Sequence, residues 1–294
     1  MIKKNEFPIL EFDDNPTALI NPENVARNYP KLDCDKLIIT FFGETIKKLI
    51  DKGSIKKYLT IRGENPYELY QFEDSDVLIV QGQVGCPACA GNLDLLQNMG
   101  IKKVMFCGGG GVLDKNIAVG KILVVEGAIR DEGFSYHYLK PSRIVYCDQE
   151  VVKKITAYLD QRNIAYLTGL TWTTDAIFRE TIDRINLRRS EGAKMVEMEQ
   201  AGCIAVGLFR KFSYGALIYG GDDVSQDEWD RRSWRSREGI RYDLVMLCKE
   251  LVGMISFFKN QNRISEKVAR PFFVSGLSKK LSKQVGLWYN ISES

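Results

Sequence analysis

The chain has 294 residues, 45% of them hydrophobic and 27% charged, which is ordinary globular usage with enough apolar material for a sizeable core. Its formal charge of +3 is too small to argue for nucleic acid or an anionic membrane as partner. No apolar run reaches the length of a membrane span and the first residues lack a signal-peptide core, so a cytoplasmic protein is expected.

Residues 1–36 mix Pro8, Pro16, Pro22 and Pro30 with acidic residues and read as an extended lead-in rather than a helix. Residues 37–42 are apolar and β-branched, hence a buried strand, and Gly43 leads from it into a helix over 44–52. A strand passing through glycine into a helix can bind an anion at the helix N-terminus, and Lys47 would add positive charge there. Residues 58–62 and 67–72 read as a hairpin, and 77–80 as a further buried strand. Gly82 and Gly85 then lead into a helix over 87–99.

The next strand, 104–107, runs into four consecutive glycines, Gly108, Gly109, Gly110 and Gly111. Ordering four glycines costs so much entropy that close backbone approach to a ligand is preferred here over a simple turn. A turn and a long strand over 118–125 follow, then a polar, aromatic loop around His137. A lone histidine among tyrosines reads as a hydrogen-bonded structural residue before a catalyst.

Residues 149–162 form an amphipathic helix and 165–167 a short strand. The stretch 171–175 then reads as the cap of a helix running to Arg189, with Asp175 as N-cap. Trp172 and Phe178 could stack on a planar ligand, although core packing accounts for either one alone. Residues 228–238 read as a charged closing loop, 240–255 as a long amphipathic helix, and 259–294 as a polar, basic appendage.

The seven cysteines are odd in number and lie mostly in apolar runs, which fits buried thiols in a reducing compartment. Cys86 and Cys89 form the one local pair. No second pair follows and His137 is the only histidine, so packing is preferred over redox chemistry and no metal site is expected.

The centre of the chain is 195–223. Two acidic clusters, Glu197 with Glu199 and Asp222 with Asp223, flank a helix-like segment (Ala201, Ala205, Leu208, Phe209) and a short strand over 216–219. Carboxylates at the ends of buried elements are costly unless paired or in use, so these acids are expected to face one pocket.

Four pieces in this order resemble the purine nucleoside and uridine phosphorylase family, which also includes nucleosidases. They are Val196-Glu197-Met198-Glu199, the strand ending in Asp222, the glycine run with 119–124 behind it, and residues 169–175. The similarity covers most of 37–258. It implies an α/β fold, a mixed and distorted central sheet flanked by helices, with nucleoside and inorganic phosphate as substrates and no cofactor.

Carried over by position, Glu199 would bind the ribose hydroxyls, with Met198 against the sugar and Glu197 assisting. Asp222 would protonate the departing purine, its pKa raised by burial and by Asp223 alongside. Trp172, Phe178 and Asp223 would lie around the base. The phosphate ligands would be Gly43, Lys47, Gly108 and Gly109, with Arg62 donated by a neighbouring subunit, which implies at least a homodimer. The family's arginine and hydroxyl residue at this anion site correspond to Phe106 and Gly109 here. A nucleosidase using water, and a catalytically weak nucleoside-binding protein, therefore stand beside a phosphorylase as readings.

Overall fold

The computed structural model describes residues 2–255, so the appendage expected over 259–294 lies outside the described residues. After a five-residue helix α1 (Pro22–Ala26), the chain forms β1 (Lys36–Thr40), α2 (Gly43–Asp51), β2 (Ile55–Ile61), β3 (Tyr67–Phe72), β4 (Val77–Gln81) and α3 (Cys86–Met99). It continues as β5 (Lys103–Val112), β6 (Ile122–Asp131), β7 (Ile144–Tyr146), α4 (Gln149–Gln161), β8 (Tyr166–Thr174) and α5 (Ile182–Ser190). The last elements are β9 (Ala193–Glu197), α6 (Gln200–Arg210), β10 (Ser213–Asp223) and α7 (Glu238–Met254).

The strands make one mixed sheet, flanked by helices, in which half the strands close into a ring. β5 pairs with β10 in parallel, β10 with β6 antiparallel, and β6 with β8 in parallel. β8 then pairs with β9 in parallel, and β9 returns antiparallel to β5. An arm of four strands, β1, β4, β3 and β2, extends from the first half of β5. Leu37, Ile38, Leu78, Ile79, Val104 and Met105 are sealed from solvent where β1, β4 and β5 lie side by side. This is the continuous apolar pattern of strands covered on both faces.

The glycine run is neither a turn nor a loop. It is the second half of β5, where that strand changes neighbours: β1 pairs with it as far as Cys107, and β9 takes over at Gly111. A Cβ on Gly110 would lie 2.9 Å from the Val196 carbonyl oxygen, and one on Gly109 3.1 Å from the Tyr219 ring. Close approach is the reason for the glycines, as expected, but what approaches is this chain's own β9 and β10.

Two further expectations change. Residues 171–174 are strand, not helix cap; their β-branched and aromatic side chains suit the centre of a sheet. Asp175 accepts the Gly133 N–H at 2.8 Å instead, and the helix starts only at Ile182. In the lead-in, Pro22 opens a short helix, since a missing N–H costs nothing at the first helical position.

Candidate functional site

Two helix N-termini meet at the end of β9. Glu197, the last residue of that strand, accepts the Glu199 and Gln200 N–H groups at 2.6 and 2.7 Å. Its other oxygen accepts the Thr173 hydroxyl at 2.5 Å, and Thr173 Oγ1 in turn accepts the Ala201 N–H at 3.0 Å. Glu197 and Thr173 thus satisfy the first amides of α6, which have no partner within the helix. Glu199 occupies the N-cap position of α6 yet points to the start of α3, where its Oε1 accepts the Gly85 N–H at 2.7 Å. Gly85 has a φ of +93°, a left-handed conformation that a side chain would strain. Met198, half-buried, sits between the two acids in sequence.

Both carboxyls are enclosed. Burial pushes Glu197 up to about 7 and, with the charge of Glu197 added, Glu199 up to about 8. The Thr173 hydroxyl and the Glu199 and Gln200 amides offset part of the cost of charging Glu197, so Glu199 is the more readily protonated partner.

Asp222 lies near the end of β10, half-buried, with its Oδ2 accepting the Trp229 Nε1–H at 2.6 Å. Asp223 is engaged elsewhere: its carboxylate is held by Arg232 at 2.5 Å and by the Ser225 N–H at 2.8 Å. The acid whose proton Asp222 influences is Glu180, pushed up to about 7 by burial and then by the Asp222 charge. Nothing local in the sequence marks Glu180, because only the tertiary fold brings it to β10.

Phe178 is 95% exposed, and Ile177 beside it is exposed too. Trp172 is fully buried in a small apolar cluster with Leu113, Ile129 and Val196, its Nε1–H bonded to Asp131 at 3.0 Å. The packing alternative is therefore the one seen at Trp172.

The expected anion ligands are dispersed. Gly43 opens α2, but Lys47 lies on the outer face of that helix, paired with Asp51 at 2.7 Å. Arg62 is exposed at the end of the arm's hairpin, with its backbone N–H and C=O bonded to the Tyr29 hydroxyl. Gly108 is buried within β5 beside Phe106, and Gly109 is half-buried against the Tyr219 ring. Phe106 is buried and packs on Phe41, ring centroids 5.3 Å apart.

The strands that carry the acids lie on either side of one strand. β9 and β10 flank the glycine half of β5, so the strand ends carrying Glu197 and Asp222 are roughly two strand spacings, about 10 Å, apart. A small cleft lined by Ile39, Tyr67, Gly82, Gln83, Cys89 and Asn92 opens at the ends of β1 and β4; none of Glu197, Glu199, Asp222 and Asp223 is among its lining residues. Sequence reasoning gave no site role to Gly85, Thr173 or Glu180. Of these, Gly85 carried a usable signal, a glycine immediately before a helix that begins Cys86-Pro87.

The ring of strands thus carries carboxylates at the ends of β9 and β10. The family model described as the phosphorylase superfamily matches residues 35–238, and the chain belongs to that family. It is 23% identical over 175 residues to a guanosine phosphorylase of Halorubrum lacusprofundi, covering 58% of this chain and 73% of that one. Among solved structures it resembles an AMP nucleosidase of Bacteroides thetaiotaomicron, with TM-score 0.64 and 21% identity over 79% of this chain and 98% of the other. It also resembles a uridine phosphorylase of Vibrio fischeri, with TM-score 0.63 and 16% identity over 76% and 94% of the two chains. A purine nucleoside phosphorylase of Toxoplasma gondii gives TM-score 0.62 and 14% identity over 76% and 93%. At these identities the structural matches speak for the fold.

Proposed function

We propose that the chain cleaves the N-glycosidic bond of a nucleoside with a purine as the departing base, acting in the cytoplasm. The observation that carries this reading is the buried Glu197–Glu199 pair on two helix N-termini beside the glycine half of β5. As the bond to the base lengthens, positive charge grows on the sugar. An ionised Glu199 gripping the ribose hydroxyls would stabilise that charge from close range. Glu197 positions it by fixing the turn into α6, and Met198 packs against the sugar. Asp222, across β5, delivers the proton to the purine ring, with Glu180 as the second carboxyl on that side.

Phe178, exposed next to Ile177, would cover the base, and Arg62 would reach the site of a second copy, so a homodimer is the proposed working state. The acceptor of the sugar is inorganic phosphate or water. The test is release of free base from a panel of purine and pyrimidine nucleosides by the purified protein. Turnover of a purine nucleoside that falls by about a hundredfold or more in Asp222→Asn is expected. Absence of base release from every nucleoside, with saturable binding retained, would leave a nucleoside-binding protein instead.

A further inference from the structure

We infer that the acceptor is water, because the Glu44 carboxylate already occupies the seat that an acceptor anion would need. This rests on the proposed bond cleavage and concerns the same site. An anion held between the start of α2 and the glycine half of β5 needs a cation and a space. Lys47 supplies no cation there, being turned outward onto Asp51, and Phe106 is apolar. The space over Gly109 is filled by the Tyr219 ring, and its hydroxyl would lie 3.4 Å from a Cβ at that position.

A buried cation is present, but it comes from α7. Arg241 is 7% exposed and lies over the rings of Phe42 and Trp234, 5.0 and 5.2 Å from their centroids. Its Nε–H donates to the Tyr219 hydroxyl at 3.0 Å, and that hydroxyl donates to the Trp234 carbonyl oxygen at 3.1 Å. Nη1 donates to Glu44 at 2.6 Å. Glu44 stands in the first turn of α2, where the helix dipole also favours negative charge. Within one copy of the chain, one internal carboxylate thus satisfies both attractions an incoming anion could use. A phosphate dianion would have to displace it or sit against its charge, whereas neutral water meets no such repulsion.

The reaction balances without another reactant. The C1′–N bond breaks with its electron pair going to the base, and the water oxygen bonds to C1′. One water hydrogen stays on the new hydroxyl and the other leaves on the base, so the products are free sugar and free base.

Calorimetric titration of inorganic phosphate into the intact wild-type chain is expected to show no saturable binding in the millimolar range. Glu44→Gln keeps the side chain's size and removes its charge, and should bind phosphate at least about tenfold more tightly than wild type. With a cleaved nucleoside, wild-type base release should be indifferent to phosphate, with heavy oxygen from labelled water entering free sugar. Saturable phosphate binding by wild type, a sugar phosphate as product, or no gain in folded Glu44→Gln would overturn the inference. If no nucleoside is cleaved, the catalytic reading fails while the two titrations still decide whether the seat is closed.

Discussion

Glu199 can be tested apart from the fold that carries it. Glu199→Gln removes charge at nearly constant volume and keeps an acceptor for the Gly85 N–H. It should lower kcat/KM by about a hundredfold or more, the scale of one lost charge-stabilising group. The melting transition followed by circular dichroism should remain cooperative. Full activity in this variant would remove the ribose assignment.

The raised acids also fix two opposite trends with pH. In the folded chain Glu197 and Glu199 hold protons up to about 7 and 8, whereas their ordinary value is 4.5. Between those limits the folded state binds more protons than the unfolded one, so stability falls as pH rises from about 4.5 to about 8. Over the upper part of that range kcat/KM should climb, as the pair reaches the charge state proposed to grip the sugar. Melting curves and rates over the same pH series check both, and Glu199→Gln should flatten both. The acids themselves were legible in the sequence. What Glu197 does was not, because its partners Thr173 and the amides of α6 are assembled by the fold.

At the scale of elements, periodicity and glycine placement located most of what the structure contains. The helices 44–52, 87–99, 149–162 and 240–255 correspond to α2, α3, α4 and α7 within a few residues, and the hairpin of β2 with β3 falls where expected. Three features escaped. β9 is short and ends in acids, so it has no strand alternation to read. Residues 171–175 combine strand-forming side chains with a helix-capping pattern, and the sheet, with neighbours on both sides, wins. The glycine run was read as approaching a ligand, and what it approaches is β9 and β10, because sequence cannot show which segment passes nearby.

A pair of alanine substitutions separates these uses of glycine. Gly110→Ala would force a methyl group to within 2.9 Å of the Val196 carbonyl, a rigid backbone atom, and should destabilise the fold by about 1–3 kcal/mol. Gly91→Ala in α3 meets nothing within 4 Å and should stabilise by about 0.5–1 kcal/mol through helix propensity. Urea unfolding of both variants measures the contrast. Equal effects would mean that β5 has room to shift.

For the whole molecule, ring closure divides the sheet into two kinds of strand. Among the described residues, every ring strand has a neighbour on each side, while the arm ends at β2, paired on one side only. Amide hydrogen exchange should therefore proceed inward from β2 and β3, and slowest in β5 and β10, whose opening breaks the ladders that carry the acids. Protection in β2 equal to that in β5 would contradict this order. The mixed sheet with helices was legible in the alternation of strand and helix patterns. Its closure was not, since it depends on β9 and β10 taking opposite sides of one strand.

The free border at β2 has a further consequence. Lys56 and Lys57 stand exposed on it, each paired with a glutamate of the strand region beside it, and β7, the other strand paired on one side among the described residues, has only three residues. Lysines on so short a rim oppose the docking of another backbone, and with it fibril-like growth. The proposed homodimer would then form through side-chain surfaces, where the bare Ile177–Phe178 knob offers grease rather than peptide groups.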